Sequence, residues 1–520
     1  MALNPTGLRK QTLDKDLKKI VALEAVSHQG GLRLLPLGLS LVFLVLVWVL
    51  ASWNTTAGAG VVIAAAVIGG YMALNIGAND VANNMAPAVG ARALTMGGAL
   101  VVAAIFEAGG ALIAGADVVS TVSKGIIDPA AVGDRGTFVA LMMAALLGAA
   151  LWLNLATWLE APVSTTHSIV GGVLGAGLAA AGMQAANWPV LGAIAASWVV
   201  SPLLGGLGAA LMLVVLKRLI LQADDRIAAA RRWVPVVVAV TAAAFAAYLV
   251  QKGLSKVWKP PLWVELALVA AVFAATLGIV ARMVARQAPR LENTKKAVGT
   301  LFTAPLIAAA ALLSFAHGAN DVANAIGPLA AVAAAVHGVA GAKVAVPGWI
   351  MLIGAAGISI GLALFGPRMI RMVGEKITKL NPVRAFCVAL SAAVTVLIAS
   401  ALGLPVSSTH IAVGAVFGVG LAREFHAHRG GHIRRQARLN QAARAAAPQE
   451  QVAKAVDGWL PGMAPDPAED PVVLRKAAKR RLVRRRHLLT IAAAWLITVP
   501  LSALIGALIF LVMVRLVPGL

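Results

Sequence analysis

A seven-residue stretch occurs twice in this chain. It reads Gly77-Ala78-Asn79-Asp80-Val81-Ala82-Asn83, and again Gly318-Ala319-Asn320-Asp321-Val322-Ala323-Asn324, 241 positions on (321 − 80). Each copy follows an apolar run and sets a carboxylate between two Asn residues. The 520 residues are 60% hydrophobic and only 12% charged, so both carboxylates fall in segments with the composition of membrane spans. Ionisable groups at that depth are costly and mark function. The same costly feature built twice points to a duplicated fold.

Repeated apolar runs of about 18 residues or more predict a polytopic all-α membrane protein. A soluble chain of this length would need more polar surface, and a β-barrel would show short alternating segments. The single cysteine, Cys387, excludes an internal disulfide and a Cys-based metal cluster, and reads as a packing residue. The net charge of +23 gathers in the N-terminal segment and the polar loops. Those basic residues flank apolar spans, as the positive-inside rule requires of cytoplasmic loops, which argues against a nucleic-acid partner.

In order, residues 1–57 read as a cytoplasmic tail and a first transmembrane helix from about Leu34 to Trp53. Residues 58–216 carry the first Asn-Asp stretch, where polar residues and Pro87 are expected to interrupt regular helix, and Glu107 within a span at 93–116. Residues 217–299 are two connecting helices between basic loops, and 300–422 repeat the earlier landmarks, with Pro328 standing where Pro87 stood. Residues 423–487 form a basic cytoplasmic loop whose end, Arg480 to Arg486, reads as a topology anchor or an anionic-lipid contact. Residues 488–520 hold a last span, bringing the expected total to about 12–13 membrane-spanning helices.

Three pairs of landmarks support the duplication. The Asn-Asp stretches are one. Gly110, Gly115 and Lys124-Gly125-Ile126 align with Gly361, Gly366 and Glu375-Lys376-Ile377, offset by 251. Pro162-Val163-Ser164-Thr165-Thr166-His167 aligns with Pro405-Val406-Ser407-Ser408-Thr409-His410, offset by 243. Paired interrupted segments in two halves predict a transporter with its site at the repeat interface.

The chemistry follows from residue type. Pro, then Ser/Thr, then an apolar Gly-rich segment is a helix start, with unpaired N–H groups and a positive dipole end. With three hydroxyls added, Ser164, Thr165 and Thr166, and likewise Ser407, Ser408 and Thr409, suit a tetrahedral oxyanion. For one copy alone an ordinary N-cap is the simpler reading; two aligned copies favour a site. His167 and His410 either donate to the anion or cap the tip locally. Asp80 and Asp321 offer carboxylate oxygens, and Asn79, Asn83, Asn320 and Asn324 offer amide oxygens, a set for Na⁺ or, through the acids, for H⁺. Glu107 is a third acid for this network, as a proton or hydrogen-bonding group, but its aligned residue is Ile358. An anion beside two carboxylates needs a bound cation or proton to offset the repulsion, which predicts symport.

At these residues the chain resembles the inorganic phosphate transporter (PiT) family. The likeness covers roughly 60–216 and 300–425, through both Gly-Ala-Asn-Asp stretches, Lys124-Gly125-Ile126-Ile127-Asp128 and the two Pro-Val-Ser-(Ser/Thr)-Thr-His tips. The resemblance implies two inverted repeats with broken helices and re-entrant hairpins. It implies phosphate binding by Ser164, Thr165, Thr166, Ser407, Ser408 and Thr409. It also implies cation coupling by Asp80, Asn83, Asp321 and Asn324, with Asn79 and Asn320, the metal being Na⁺ at Asp80 and Asp321 if the chain is sodium-coupled. Two departures stand out: the helix at 34–53 is extra to the family core, and Met85-Ala86-Pro87 replaces residues that are more often small or hydroxylic.

The expectation is a symporter, not an enzyme, that imports inorganic phosphate or a metal–phosphate complex with Na⁺ or H⁺ by alternating access. It needs no cofactor, sits among membrane lipids in a bacterial-type inner membrane, and is compatible with a homodimer. A sulfate symporter on the same scaffold and an anion channel are the rival readings.

Overall fold

The computed structural model describes residues 34–55, 60–159, 163–338, 346–376, 380–425 and 485–516. The expected tail at 1–32 and the loop from 426 to 484 lie outside the described residues. The chain is helical, and the described residues form no strand beyond an isolated bridge between Ile127 and Ala186.

The helices follow the hydropathy. In order they are α1 (Leu34–Asn54), α2 (Gly60–Asn79), α3 (Val81–Gly90), α4 (Met96–Ala114), α5 (Ala116–Lys124), α6 (Arg135–Trp158), α7 (Thr165–Ala181) and α8 (Trp188–Leu216). Then come α9 (Arg226–Lys252), α10 (Leu262–Gln287), α11 (Lys295–Leu301), α12 (Thr303–Val336), α13 (Gly348–Lys376), α14 (Pro382–Ala401), α15 (408–425) and α16 (Arg485–Leu516). Eleven helical stretches among the described residues are long and apolar enough to cross a membrane. That is fewer than the expected 12–13, and α7, an apolar helix of 17 residues, falls short of that length. Local chemistry sets the starts. Asn381 accepts from Arg384 N and precedes Pro382, while Asp134 accepts from Thr137 N and Oγ1. Those bonds hold the exposed Asp134 carboxyl below its ordinary pKa.

One expectation fails in half of the molecule. The two Asn-Asp stretches were both to interrupt regular helix. The first does, since α2 ends at Asn79 and α3 starts at Val81. The second does not, because Asp321 and Pro328 lie inside the unbroken 34-residue α12. Seven identical residues therefore give a one-residue turn at Asp80, whose backbone stays right-handed helical, and an unbroken helix at Asp321. The two differ in surroundings: in its most apolar window α12 is 89% buried, against 67% for the stretch Gly60–Gly90. At the other extreme α10 is 6% buried, as a helix facing lipid would be.

Burying apolar surface drives little association in lipid, so close backbone packing must hold these helices together. Two matched contacts show it. A Cβ at Gly175 of α7 would run into the carbonyl oxygen of Ala503 in α16, and a Cβ at Gly418 of α15 would run into that of Gly206 in α8. Gly175 and Gly418 are related by the offset of 243 that relates the two tips (418 − 175). The helix following each tip helix in the sequence is thus packed on the tip helix of the other half. The last span, α16, stands to α7 as α8 stands to α15.

Candidate functional site

The two tips meet at the centre. Ser164 is the N-cap of α7, with its Oγ accepting from His167 N at 3.2 Å, and Ser407 Oγ accepts from His410 N at 3.3 Å. Thr166 Oγ1 donates to the carbonyl of Val406 at 3.0 Å, so one tip is tied to the other. The His167 ring stacks on Trp198 at 3.7 Å and lies 4.5 Å from that of His410. Nδ1 of His167 lies 2.7 Å from Ser164 Oγ, within its own tip.

The carboxylates face these tips in a reciprocal pattern. Asp80 Oδ2 accepts from Thr165 Oγ1 at 2.7 Å, and Asp321 Oδ2 accepts from Ser408 Oγ at 3.1 Å. Thr165 and Ser408 are equivalent in the two repeats (408 − 165 = 243), so each acid holds the tip of its own half. The amides cross over. Asn83 Nδ2 donates to Thr409 Oγ1 at 2.9 Å, and Asn324 Nδ2 donates to Thr166 Oγ1 at 3.1 Å, each reaching the tip of the other half. Asp80 Oδ1 also accepts from Thr409 Oγ1 at 3.2 Å, and Asn324 Nδ2 also reaches Thr165 Oγ1 at 3.2 Å. The outer amides bond the helices leading into the tips: Asn79 to Thr157 at 3.0 Å and Asn320 to Ser400 at 2.9 Å, another pair at the offset of 243 (400 − 157). The six hydroxyl residues of the tips, both Asp and all four Asn are buried.

The donor set also fits a cation. One ligand atom each of Asp80, His317 and Asp321 lie within 4.8 Å of one another. Oδ1 of Asp321 and Oδ1 of Asn324 are buried with no hydrogen-bond partner among the described residues. Buried oxygens in that state suit a hard cation.

The symmetry fails at one place. His317 Nδ1 lies 2.6 Å from Glu107 Oε2 and its Nε2 lies 2.8 Å from Asp321 Oδ2. Asn84 Nδ2 donates to Glu107 Oε1 at 2.9 Å. A neutral imidazole donates to one of these acids and leaves its other nitrogen as a ligand atom, whereas a doubly protonated one donates to both and ligates no cation. A Cβ at Gly318 would strike the Glu107 carbonyl, and one at Gly77 would strike that of Ile358. Glu107 and Ile358 are thus spatial equivalents, as the sequence offset of 251 predicts (358 − 107), and His317 matches Ile76 (317 − 241). One face of the repeat interface is a polar network, and the other carries two isoleucines in its place. The sequence reading missed His317 and Asn84. The available signal was spacing, because His317 is four residues before Asp321 on one helical face.

A family model described as the phosphate transporter family matches residues 76–506. The chain belongs to the phosphate transporter family. This phosphate transporter is therefore a multi-pass membrane protein and not an enzyme. It is 45% identical to a Helicobacter pylori protein named as a putative phosphate permease, over 95% of this chain and 98% of that one. It is 38% identical to inorganic phosphate transporter 2-1, chloroplastic, of Arabidopsis thaliana, over 71% of this chain and 67% of that one. A solved structure of a protein described as the sodium-dependent phosphate transporter superposes with a TM-score of 0.73 at 34% identity, covering 88% of this chain and all of the other.

Proposed function

We propose that this transporter is a symporter that imports inorganic phosphate with Na⁺ by alternating access between its two repeats, 58–216 and 300–422. The observation that carries this reading is the reciprocal bonding of Asp80 with Thr165 and of Asp321 with Ser408. Phosphate is bound by the hydroxyls and helix starts at Ser164, Thr165, Thr166, Ser407, Ser408 and Thr409. The cation is bound by Asp80, Asp321, Asn83 and Asn324, with Asn79 and Asn320 orienting the tips. A cation placed there offsets the repulsion that two acids would exert on an anionic substrate in a site of low dielectric. The superposed transporter is described as sodium-dependent, which supports Na⁺ over H⁺.

A specific observation favours a second reading. The chain Asn84–Glu107–His317–Asp321 links a protonatable ring to one coupling acid, so H⁺ coupling through His317 is the alternative. Uptake of radiolabelled phosphate into proteoliposomes decides. With an imposed Na⁺ gradient uptake is concentrative, with a pH gradient alone it is not, and excess sulfate fails to compete. Uptake indifferent to both gradients would end the symport reading.

A further inference from the structure

The second tip is entered through Leu404-Pro405-Val406-Ser407, which lies outside any helix. Non-helical backbone at membrane depth needs a partner for each carbonyl. Three successive carbonyls here are met by three different helices. Leu404 accepts from Asn320 Nδ2 of α12 at 3.1 Å, Pro405 from Trp198 Nε1 of α8 at 3.1 Å, and Val406 from Thr166 Oγ1 of α7 at 3.0 Å. Asn320 and Thr166 belong to the site already described. Trp198 stands outside it, on a helix whose adjacent residues Val199 and Val200 are exposed.

The same indole reaches the first tip through its ring. It stacks on His167 at 3.7 Å between centroids, with 28° between the planes. Nδ1 of His167 lies 2.7 Å from Oγ of Ser164, the N-cap of α7. One side chain outside the site thus touches the entry of one tip and the first turn of the other.

The duplication repeats the placement. A Cβ at Gly171 of α7 would strike the Val499 carbonyl oxygen, and one at Gly414 of α15 would strike that of Pro202. With the contacts of Gly175 and Gly418, these fix the offset between α8 and α16 at 297 (499 − 202 and 503 − 206). The position equivalent to Trp198 is therefore 495, and it is Trp495. Tryptophan is only 12 of 520 residues, so composition does not account for the match.

We infer that Trp198 is a positioning residue for the paired tips: its indole sets the spacing between Ser164 and Ser407, and with it the fit of a phosphate held between them. The inference rests on the tips being the phosphate site. Trp198 acts through the Pro405 carbonyl and the His167 ring, not through the anion. Its loss loosens the tips and weakens phosphate binding, and leaves the turnover step in place.

The test is phosphate uptake by the full chain in proteoliposomes, with KM and maximal rate measured separately. Trp198→Phe keeps a ring for His167 and deletes the N–H. It is expected to raise the phosphate KM about fivefold, the weight of one neutral hydrogen bond, at an unchanged maximal rate. Trp198→Leu also removes the ring and is expected to raise KM further. Trp188 supplies the control, because it lies on the same helix and its Nε1 donates to the Met183 carbonyl at the same 3.1 Å, away from both tips. Trp188→Phe is expected to keep the wild-type KM. A wild-type KM in Trp198→Phe, or equal shifts in the two Phe variants, overturns the assignment, since a general loosening of α8 would look the same. The wild-type protein gives a second reading. With indole-¹⁵N tryptophan in nanodiscs, the Trp198 N–H signal, the one missing from Trp198→Phe and Trp198→Leu, shifts when phosphate and Na⁺ fill the tips, and the Trp188 signal stays. A Trp198 signal blind to phosphate also overturns it. Thr165→Val with Ser408→Ala tests the tips themselves: an unchanged phosphate KM there would sink the tip reading, whatever Trp198 does.

Discussion

His317 and Glu107, 210 positions apart in the chain, meet through Nδ1 and Oε2 at 2.6 Å, both fully buried. Their spatial equivalents, Ile76 and Ile358, are apolar. A duplicated protein has thus kept a polar pair on one face of its repeat interface and an apolar contact on the other.

That difference can be tested by making the two faces alike. Glu107→Gln or His317→Gln alone leaves a buried partner without its counter-group, a loss of about 3–5 kcal/mol. Glu107→Ile with His317→Ile copies the Ile76/Ile358 face and is expected to recover part of that stability. Recovery is incomplete because Asn84 and Asp321 each lose a partner. Coupled uptake is absent in the double variant. Thermal unfolding in detergent beside proteoliposome uptake measures both, and a double variant that still transports would remove the pair from the mechanism.

Asp80→Asn and Asp321→Asn are each expected to abolish Na⁺-coupled uptake while leaving membrane insertion intact. Asn keeps the shape and one acceptor oxygen for the bonds from Thr165 and Ser408, but not the charge. Full uptake by either variant, at matched surface expression, would take the carboxylates out of the coupling.

Thr165→Val and Ser408→Ala each delete one hydroxyl bonded to an acid. A hydrogen bond to a charged group contributes about 1.5–3 kcal/mol, which corresponds to a roughly tenfold to hundredfold loss. The loss is expected in KM for phosphate and for Na⁺ together, since each hydroxyl serves both halves of the site. A change in phosphate KM alone would separate them.

Gly175→Ala and Gly418→Ala place a methyl group against the carbonyls of Ala503 and Gly206. Overpacking of this kind costs about 1–3 kcal/mol. Equal losses in unfolding temperature for the two variants would show that α8 and α16 hold the tip helices equivalently. A normal unfolding temperature for Gly175→Ala would show that α16 is loosely held.

Much of this molecule is legible in the chain alone. Hydropathy and span length predict a polytopic helical protein, because a chain in lipid must satisfy its backbone within each helix. The duplicated Asn-Asp stretches and Ser/Thr tips are legible too, since their residue types at fixed offsets already specify an anion site beside a cation site. Contacts between distant segments are not written in any local pattern. Asn83 finds Thr409 across 326 positions, and nothing near Asn83 predicts it. The sequence marked Glu107 as unpaired by the duplication; only the folded chain supplies His317 as its partner. The folded chain also shows a turn at Asp80 of the first Asn-Asp stretch and none at Asp321 of the second. Seven identical residues carry identical local preferences, so the difference between Asp80 and Asp321 belongs to what surrounds them.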